Sequence, residues 1–447
     1  MDRSREYMAG VFAAAQAATD AAGAPVSAHA GAPAAIRAAV TGAVDAVVPV
    51  ASELADELHA HPETGMSEHR AARAVTRLLG RHGTACELGA FGLPTAFEAS
   101  VGSGAGPCVA VLAEYDALPG LGHACGHNII CAAAVAAFLG AERAVAELGG
   151  TVRLIGTPGE EGCGGKELIA RAGGFAGLDA VVMVHPAGFD TAEHPWLGAR
   201  SAVVRYHGAA AHAAATPFLG RNALDGLVLA YQGLSQLRQH LLPDERVHMI
   251  ITDGGTAAGV IPALAAGRVA VRAGSGGGLG ELSGRVEDIL HAAAQATGTR
   301  CELGWDDRPA YLPVRSNGPL AARYAVNIAA QGRRVLPPGV LPRTLSGSTD
   351  LGNVSVRVPA IHPLIKVSPP HVVIHTPEFA TYTTGAPARQ AVRDGAAALA
   401  LTVADFLADA ALRADVARAF AAQGGAVEPD ALLARDGRGA GAAGAEA

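Results

Sequence analysis

The sequence contains few aromatic and few charged residues. Phe, Trp and Tyr make up 4% of the 447 residues, and charged residues make up 17%. The net charge is −7 and no Lys/Arg-rich run occurs, which argues against nucleic acid or an anionic membrane as a partner. No uninterrupted apolar run reaches the roughly 18–20 residues of a membrane span. Half of the residues are hydrophobic, so we expect a folded chain with a large buried core.

Cysteine is also sparse. The six cysteines are scattered over positions 86, 108, 125, 131, 163 and 301. This spacing is not that of a disulfide framework and favours a reduced, cytoplasmic protein, with Cys131 and Cys163 expected in the core. Near the N-terminus acidic residues offset the basic ones and Gln16 interrupts the apolar stretch, which is unlike a signal peptide. We therefore expect residues 1–33 to form a flexible leader.

The pattern of apolar segments changes along the chain, which is too long for one ordinary core. Over 34–198 short apolar strands alternate with helices, which predicts an α/β fold with a mixed, mostly parallel sheet covered on both faces. Over 199–315 the order β-α-β-β-α-β predicts an inserted two-layer α+β unit of ferredoxin-like type. The α/β pattern returns over 316–423 and completes the first domain. The Gly/Ala-rich segment 424–447 is expected to be disordered.

Polar side chains that bind metals or transfer protons follow several of the predicted strands. Asp116, Glu160, Glu161 and His185 each come shortly after a short apolar stretch. The loop that leaves the first of these strands carries Cys125-Gly-His127. Because ligand sites of such sheets lie beyond the carboxyl ends of the strands, we expect these residues to meet at one edge.

The residue types at this edge suit a hydrolytic metal site, which needs several protein ligands, an open position for water and a nearby base. Cys125 and His127 offer a thiolate and an imidazole at the start of a long helix. Glu160 and Glu161 point in different directions, so one can bind metal while the other faces water. His375 supplies a further imidazole. Taken singly, each is more often a core or solvated residue; their coincidence favours the metal site.

Eight motifs together resemble one enzyme family. In chain order they are HPETGMSE (61–68), EYDALPG (114–120), GHACGHN (122–128), GTPGEEGCGGK (156–166), VHP (184–186), GAAAHAA (208–214), GSTDLGN (347–353) and HTPEF (375–379). The set is similar to the aminoacylase/carboxypeptidase-type metallopeptidase family, and the resemblance runs from about residue 35 to 420. Cys-Gly-His indicates its amidohydrolase branch. Asn128, together with GSTDLGN, indicates the subgroup of aminobenzoyl-glutamate hydrolases and aminoacylase-like dipeptidases.

The resemblance implies roles for individual residues. The implied ligands of one or two divalent metals are Cys125, His127, Glu161, His185 and His375. Zinc suits this mixture best, and Mn, Co or Ni are alternatives. Glu160 would be the general base and acid, Asp116 would orient a ligand, and His123 would lie behind the ligands. His212, in the inserted lid, would stabilise the oxyanion; in dimeric relatives it comes from the other subunit, so we expect a homodimer formed through the inserted domain.

The implied function is a metal-dependent amidohydrolase that acts on N-acyl amino acids or small dipeptide-like substrates. Arg272 and Asn222 are candidate substrate contacts, although a solvated strand residue and a helix cap are equally good interpretations of them. Gly259 stands where relatives commonly carry Asn before Val-Ile-Pro, which removes one contact to substrate. A dipeptidase or exopeptidase of the same fold is an alternative. A non-catalytic metal- or ligand-binding protein is disfavoured, because Glu160 is needed only for turnover.

Overall fold

A computed structural model describes residues 2–433 of the chain. Its helices are α1 Asp2–Ala21, α2 Ala34–Ala60, α3 His69–Arg81, α4 His127–Leu148, α5 Glu160–Cys163, α6 Gly165–Arg171, α7 Ala223–Leu237, α8 Gly276–Thr297, α9 Gly318–Ala329, α10 Leu351–Ser355, α11 Pro377–Ala380, α12 Gly385–Ala408, α13 Ala410–Ala422 and α14 Pro429–Leu433. Its strands are β1 Cys86–Leu88, β2 Phe97–Gly102, β3 Cys108–Ala113, β4 Thr151–Gly156, β5 Ala180–Val182, β6 His185–Ala187, β7 Gly198–His207, β8 Arg246–Asp253, β9 Leu264–Ala273, β10 Arg300–Trp305, β11 Ala360–Ile361 and β12 Leu364–Lys366.

The first of two compact units contains a mixed sheet. This unit comprises the chain up to His194, Val314–Pro342 and Asn353–Ala426. Within it, six strands of the described residues pair in the order β1-β2-β4-β3-β5-β11. Strand β3 runs parallel to β4 and β5, and β5 runs parallel to β11, whereas β2 is antiparallel to both of its neighbours. The predicted α/β fold with a mixed, mostly parallel sheet is therefore confirmed.

Apolar helices fill the core of this unit. By length and composition alone, α2 and α4 are long enough and apolar enough to cross a membrane, and α12 with α13, bent by 100°, would be a third such segment among the described residues. Here α4 is buried along most of its length, and α2 contributes one face, which includes Val40, Val44 and Ala51, to the same core. Small side chains allow close approach: a Cβ at Gly140 of α4 would lie 2.3 Å from a methyl group of Val44.

The second unit is a two-layer α+β module. It comprises Pro195–Pro313, Arg343–Gly352 and the chain from Val427 onward, described to residue 433. Its four strands pair antiparallel in the order β10-β7-β9-β8, and the chain order is β7-α7-β8-β9-α8-β10. Alternate residues of β9 are buried against the helices, which is the two-residue period of a sheet with one covered face. This is the predicted β-α-β-β-α-β arrangement.

The boundaries differ from the prediction in three places. Residues 343–352, predicted to belong to the first domain, pack with the second unit, where the Leu197 N–H donates to the carbonyl of Gly347. The predicted leader contains the helix α1, whose side chains are mostly exposed. The predicted disordered tail contains α14, whose Leu433 packs against the core of the second unit. Residues 434–447 of that tail lie outside the described residues.

Candidate metal centre

A sharp turn places Cys125 and His127 at the edge of the first unit's sheet. Gly126 between them has φ 86°, a left-handed conformation that suits glycine, and it precedes the first residue of α4. A Cβ at Gly126 would lie 2.7 Å from the ring of Pro186, so no larger residue fits. The close approach brings this turn against the β6 segment that carries His185.

The five residues predicted as metal ligands are brought together. The Cys125 Sγ lies 3.4 Å from the His185 Nε2 and 3.3 Å from the His375 Nε2. The His375 Nε2 lies 3.2 Å from the Glu161 Oε1, which is 4.0 Å from the His127 Nε2. Donor atoms of Cys125, His127 and His185, and of Cys125, Glu161 and His375, lie within 4.8 Å of one another. All five residues belong to the first unit, although 250 positions separate Cys125 from His375.

These donors fit a divalent transition metal. The separations of 3.2–3.4 Å are those of donor atoms that share one ion at bond lengths of about 2.0–2.3 Å. The His127 Nε2 and the Glu161 Oε1 are buried and have no hydrogen-bond partner among the described residues. Unsatisfied buried polar atoms are rare in proteins and need an explanation. A cation between them satisfies both, and thiolate, imidazole and carboxylate are ligands typical of zinc and its neighbours.

Backbone hydrogen bonds fix the positions of His185 and His375 beside the candidate metal site. The His185 Nδ1 donates to the carbonyl oxygen of Pro186 at 2.7 Å, so in the neutral ring the Nε2 presents a lone pair towards Cys125. Burial lowers the pKa of His185 to about 4, which keeps the ring neutral at physiological pH. His375 is a non-glycine residue with φ 64°, and its N–H donates to the carbonyl of Ala124. Such strain is common where a side chain is held for function.

Asp116 lies behind these predicted ligands, where its two oxygens accept different hydrogen bonds. Its Oδ1 accepts from the His127 Nδ1 at 2.9 Å, and its Oδ2 accepts from the Glu161 N–H at 2.8 Å. Burial disfavours the charged carboxylate, but His127 and the Glu161 N–H outweigh burial and lower the pKa of Asp116. Burial likewise disfavours the imidazolium of His127, but Cys125, Asp116 and Glu114 raise the pKa of that ring well above its usual value. The pocket therefore favours a positive charge, which a metal ion would supply.

Glu160 and Glu161 diverge because the backbone leaves helical geometry between them. Gly159 has φ 67°, and Glu161 has φ −68° and ψ 76°, outside the helical region. The Glu160 side chain is 9% exposed, and its Oε2 lies 3.9 Å from the His127 Nε2. Glu160 therefore lies beside the donor atoms but makes none of the close contacts among Cys125, His185 and His375. A general base needs such a position, within reach of a water at the centre.

The three predicted residues of the second unit lie in a loop, at the start of a helix and in the sheet. The His212 side chain is exposed, and its Nδ1 accepts the N–H groups of Ala214 and Ala215 at 3.2 Å each, so in the neutral ring the proton is on the Nε2. Asn222 caps α7, since its Oδ1 accepts from the Leu224 N–H. It also lines a cavity of about 460 Å³ with residues 254–258 and 260–262. In the sheet, the Arg272 Nη1 donates to the Ser348 Oγ at 2.6 Å.

Comparison with known proteins identifies the family. The model of the peptidase family M20/M25/M40 matches residues 110–404. The chain belongs to this family. Over 380 residues it is 38% identical to the Xaa-Arg dipeptidase of Mus musculus, and the match covers 82% of this chain and 88% of the relative. A p-aminobenzoyl-glutamate hydrolase subunit, from Escherichia coli (strain K12), is 36% identical over 287 residues, which are 59% of this chain and 60% of the relative.

Two solved structures share the fold of this chain. A dinuclear metal-binding M20 peptidase of Bacillus subtilis has a TM-score of 0.59 at 21% identity, covering 79% of this chain and 98% of that one. The aminobenzoyl-glutamate utilization protein from Klebsiella pneumoniae has the same TM-score and identity, with coverage of 80% and 96%. The family match and the curated relatives confirm the predicted family and enzyme class: the chain is a metal-dependent amidohydrolase of peptidase type.

Two buried charged residues beside the donor set were not predicted. Glu114 and Lys166 are both fully buried, and the Lys166 Nζ donates to the Glu114 Oε1 at 2.5 Å. The position of Glu114 could have been inferred from the sequence, because Glu114 stands two positions before Asp116 and both residues follow β3. His123 is also buried, and burial lowers its pKa to about 3, but it belongs to none of the donor groups, as predicted for a residue behind the ligands.

Proposed function

We propose that this enzyme hydrolyses the amide bond of an N-acyl amino acid or a small dipeptide-like substrate, with Glu160 as general base. The observation that carries the proposal is that five metal-type donors form two groups of three that share Cys125, with a buried carboxylate, Glu160, beside them. The relatives support the substrate class, because they include an Xaa-Arg dipeptidase and part of a p-aminobenzoyl-glutamate hydrolase.

The proposed metal ligands are Cys125, His127, Glu161, His185 and His375. When bound, a divalent metal polarises the substrate carbonyl and lowers the pKa of water. Zinc suits the thiolate and imidazole donors best, and Mn, Co or Ni remain alternatives, as does the number of ions, one or two. Asp116 fixes the tautomer of His127 and thereby directs the Nε2 lone pair towards the centre.

Glu160 moves the proton. Its carboxylate takes a proton from the attacking water and delivers it to the leaving amine, the roles of a general base and then a general acid. His212 donates its Nε2–H to the developing oxyanion, a role supported by the two backbone N–H groups that hold its Nδ1 as an acceptor. Arg272 and Asn222 are proposed as substrate contacts, although the Asn222 amide also caps α7.

The decisive experiment compares the two adjacent glutamates. Glu160→Gln should bind metal like the wild type and lose hydrolysis by several orders of magnitude, whereas Glu161→Gln should lose both metal and activity. Metal content is measured by elemental analysis, and kcat is measured against a panel of N-acyl amino acids, p-aminobenzoyl-glutamate and dipeptides that end in Arg. Near-wild-type turnover by Glu160→Gln would remove it from the mechanism. Cleavage of the dipeptides alone would favour the dipeptidase alternative.

We also propose a homodimer formed through the second unit. Strand β8 is an edge strand whose Ile250 and Ile251 are 60% and 42% exposed, and α7 exposes Val228, Leu229 and Tyr231. An apolar edge strand is a ready surface for pairing with a second copy. Ile250→Glu should produce monomers in sedimentation experiments. The control is Leu88→Glu on the edge strand β1 of the first unit, which should leave the oligomeric state unchanged.

We propose a cytoplasmic location for the enzyme. All six cysteines are free thiols, which suits a reducing compartment. Fractionation of cells that produce the protein tests this location, and recovery with the membrane fraction would contradict it.

A further inference from the structure

We propose that Glu114 is a further metal ligand, on the side of the centre formed by His127, and that Lys166 holds its charge in place. The inference rests on the proposed metal centre and adds a carboxylate to it. It assigns a function to a buried ion pair that the hydrolytic mechanism above does not use.

Glu114 is fully buried at the end of β3, and its two oxygens have different surroundings. The Oε1 accepts from the Lys166 Nζ at 2.5 Å. The Oε2 has no hydrogen-bond partner among the described residues and lies 3.4 Å from the His127 Nε2, which also has none. The ion pair therefore fixes the carboxylate with one oxygen turned towards an imidazole nitrogen that is itself unsatisfied.

The tautomer of His127 makes this contact informative. Its Nδ1 lies 2.9 Å from the Asp116 Oδ1, and a carboxylate only accepts hydrogen bonds, so the Nδ1 carries a proton. In the neutral ring the Nε2 then holds a lone pair, which faces the lone pairs of the Glu114 Oε2. The two atoms therefore need a positive charge between them, either a proton on the Nε2 or a metal ion. Their separation of 3.4 Å is that of two donors bound to one ion at about 2.0–2.2 Å.

The charges of the site agree with this assignment. Asp116, Glu160 and Glu161 already place carboxylates around His127, and a further buried carboxylate is costly unless it is paired. Lys166 provides that pairing for the Oε1 of Glu114 and leaves the Oε2 directed at the centre. A metal ion between the Oε2 of Glu114 and the Nε2 of His127 would satisfy two buried polar atoms that have no hydrogen-bond partner among the described residues.

The test measures metal binding rather than turnover. Glu114→Gln should weaken Zn²⁺ binding by about 100-fold, measured by chelator competition. This is at least the upper end of the loss of affinity that follows when a residue behind the metal ligands is changed. The same substitution should also change the visible absorption of the Co²⁺-loaded protein, because that spectrum reports ligand number and type. Glu114→Gln removes one carboxylate partner of the buried Lys166, so Glu114→Gln with Lys166→Met serves as a second variant, with the same expected losses. Glu167→Gln is the control, since Glu167 is equally buried, pairs with Arg357 and should match the wild type.

Each outcome decides the assignment. Wild-type affinity and an unchanged Co²⁺ spectrum in both Glu114 variants would overturn it. Weaker binding with an unchanged spectrum would also overturn it, because Glu114 would then act only through His127. If the wild type itself bound no metal, the proposed function would fail, which is a different result from an unaltered Glu114 variant.

Discussion

Asp116 uses one carboxylate oxygen to hold the ring of His127 and the other to hold the backbone of Glu161. The two hydrogen bonds measure 2.9 Å and 2.8 Å, and the carboxylate that accepts them is buried. One side chain thus positions two of the proposed ligands, which approach the centre from different segments of the chain. Partners of this kind fix the tautomer and orientation of metal ligands.

Asp116→Asn should weaken metal binding by about 10- to 100-fold, the range found when such outer partners are changed. An amide has one acceptor oxygen, whereas Asp116 accepts from two donors, so either His127 or the Glu161 N–H must face an NH₂ group. Metal affinity is measured by calorimetry. The control is Asp409→Asn, because Asp409 also accepts two backbone N–H groups, at the start of α13, and Asn caps helices equally well. Equal affinities for the two variants would contradict the role of Asp116.

Cys125→Ala should lower metal content and activity together. Burial raises the pKa of the Cys125 thiol, so metal binding must displace its proton. The wild type should therefore release about one proton more per bound metal than the variant, which calorimetry in buffers of different ionisation enthalpy measures.

Cys131→Ala is the matched control for this change. Cys131 is fully buried in α4, and the same atoms are removed outside the donor set. This control should keep its metal. Full metal occupancy in Cys125→Ala would show that Cys125 is not a ligand.

Much of the candidate site could be predicted from the sequence, because several of its proposed ligands follow short apolar strands. Glu161 and His185 follow β4 and β5, Cys125 lies in the loop that leaves β3, and the parallel pairing of these three strands brings the residues to one edge. His375 could be assigned only by resemblance, since no strand ends at it; its left-handed backbone and its hydrogen bond to Ala124 are visible only in three dimensions.

Other features could not be predicted from the sequence and are visible only in the folded structure. Lys166 pairs with Glu114 across 52 positions, and a buried Lys cannot be told from a solvated one by its neighbours in sequence. The division of the chain at Arg343–Gly352 was also missed, because that segment has no regular pattern and is held by contacts such as that of Ser348 with Arg272. The helix α1 was missed because its few buried side chains give little periodic signal.

His212→Ala should lower kcat by about 10²- to 10³-fold with the metal retained, the effect of removing one oxyanion donor. The two backbone N–H groups on the Nδ1 leave the Nε2–H as the donor that the variant lacks. Steady-state kinetics and metal analysis separate this loss from a loss of ligands. His207→Ala is the control in the same unit, because His207 pairs with Glu302 and has no proposed catalytic role. An unchanged kcat for His212→Ala would leave the second unit without a catalytic residue.

The stability of the metal-free protein should fall between about pH 4.5 and pH 7 because of Glu68. This side chain is fully buried and accepts hydrogen bonds from Met66, Thr95 and Gly159. Burial, with a smaller contribution from Asp116, nevertheless raises its pKa from 4.5 to about 7. The folded chain therefore binds more protons than the unfolded chain in this interval, and the free energy of unfolding decreases as the pH rises.

Glu68→Gln tests the effect, because an amide does not titrate in this range. A shift from 4.5 to about 7 corresponds to about 3 kcal/mol at 1.36 kcal/mol per pH unit. The stability of the variant relative to the wild type should therefore rise by about that amount between pH 4.5 and pH 7.5, measured by urea unfolding in the presence of a chelator. Taking the difference between the two proteins cancels the other titrating groups. A difference that stays constant across the interval would mean that Glu68 is already ionised in the folded chain at pH 4.5.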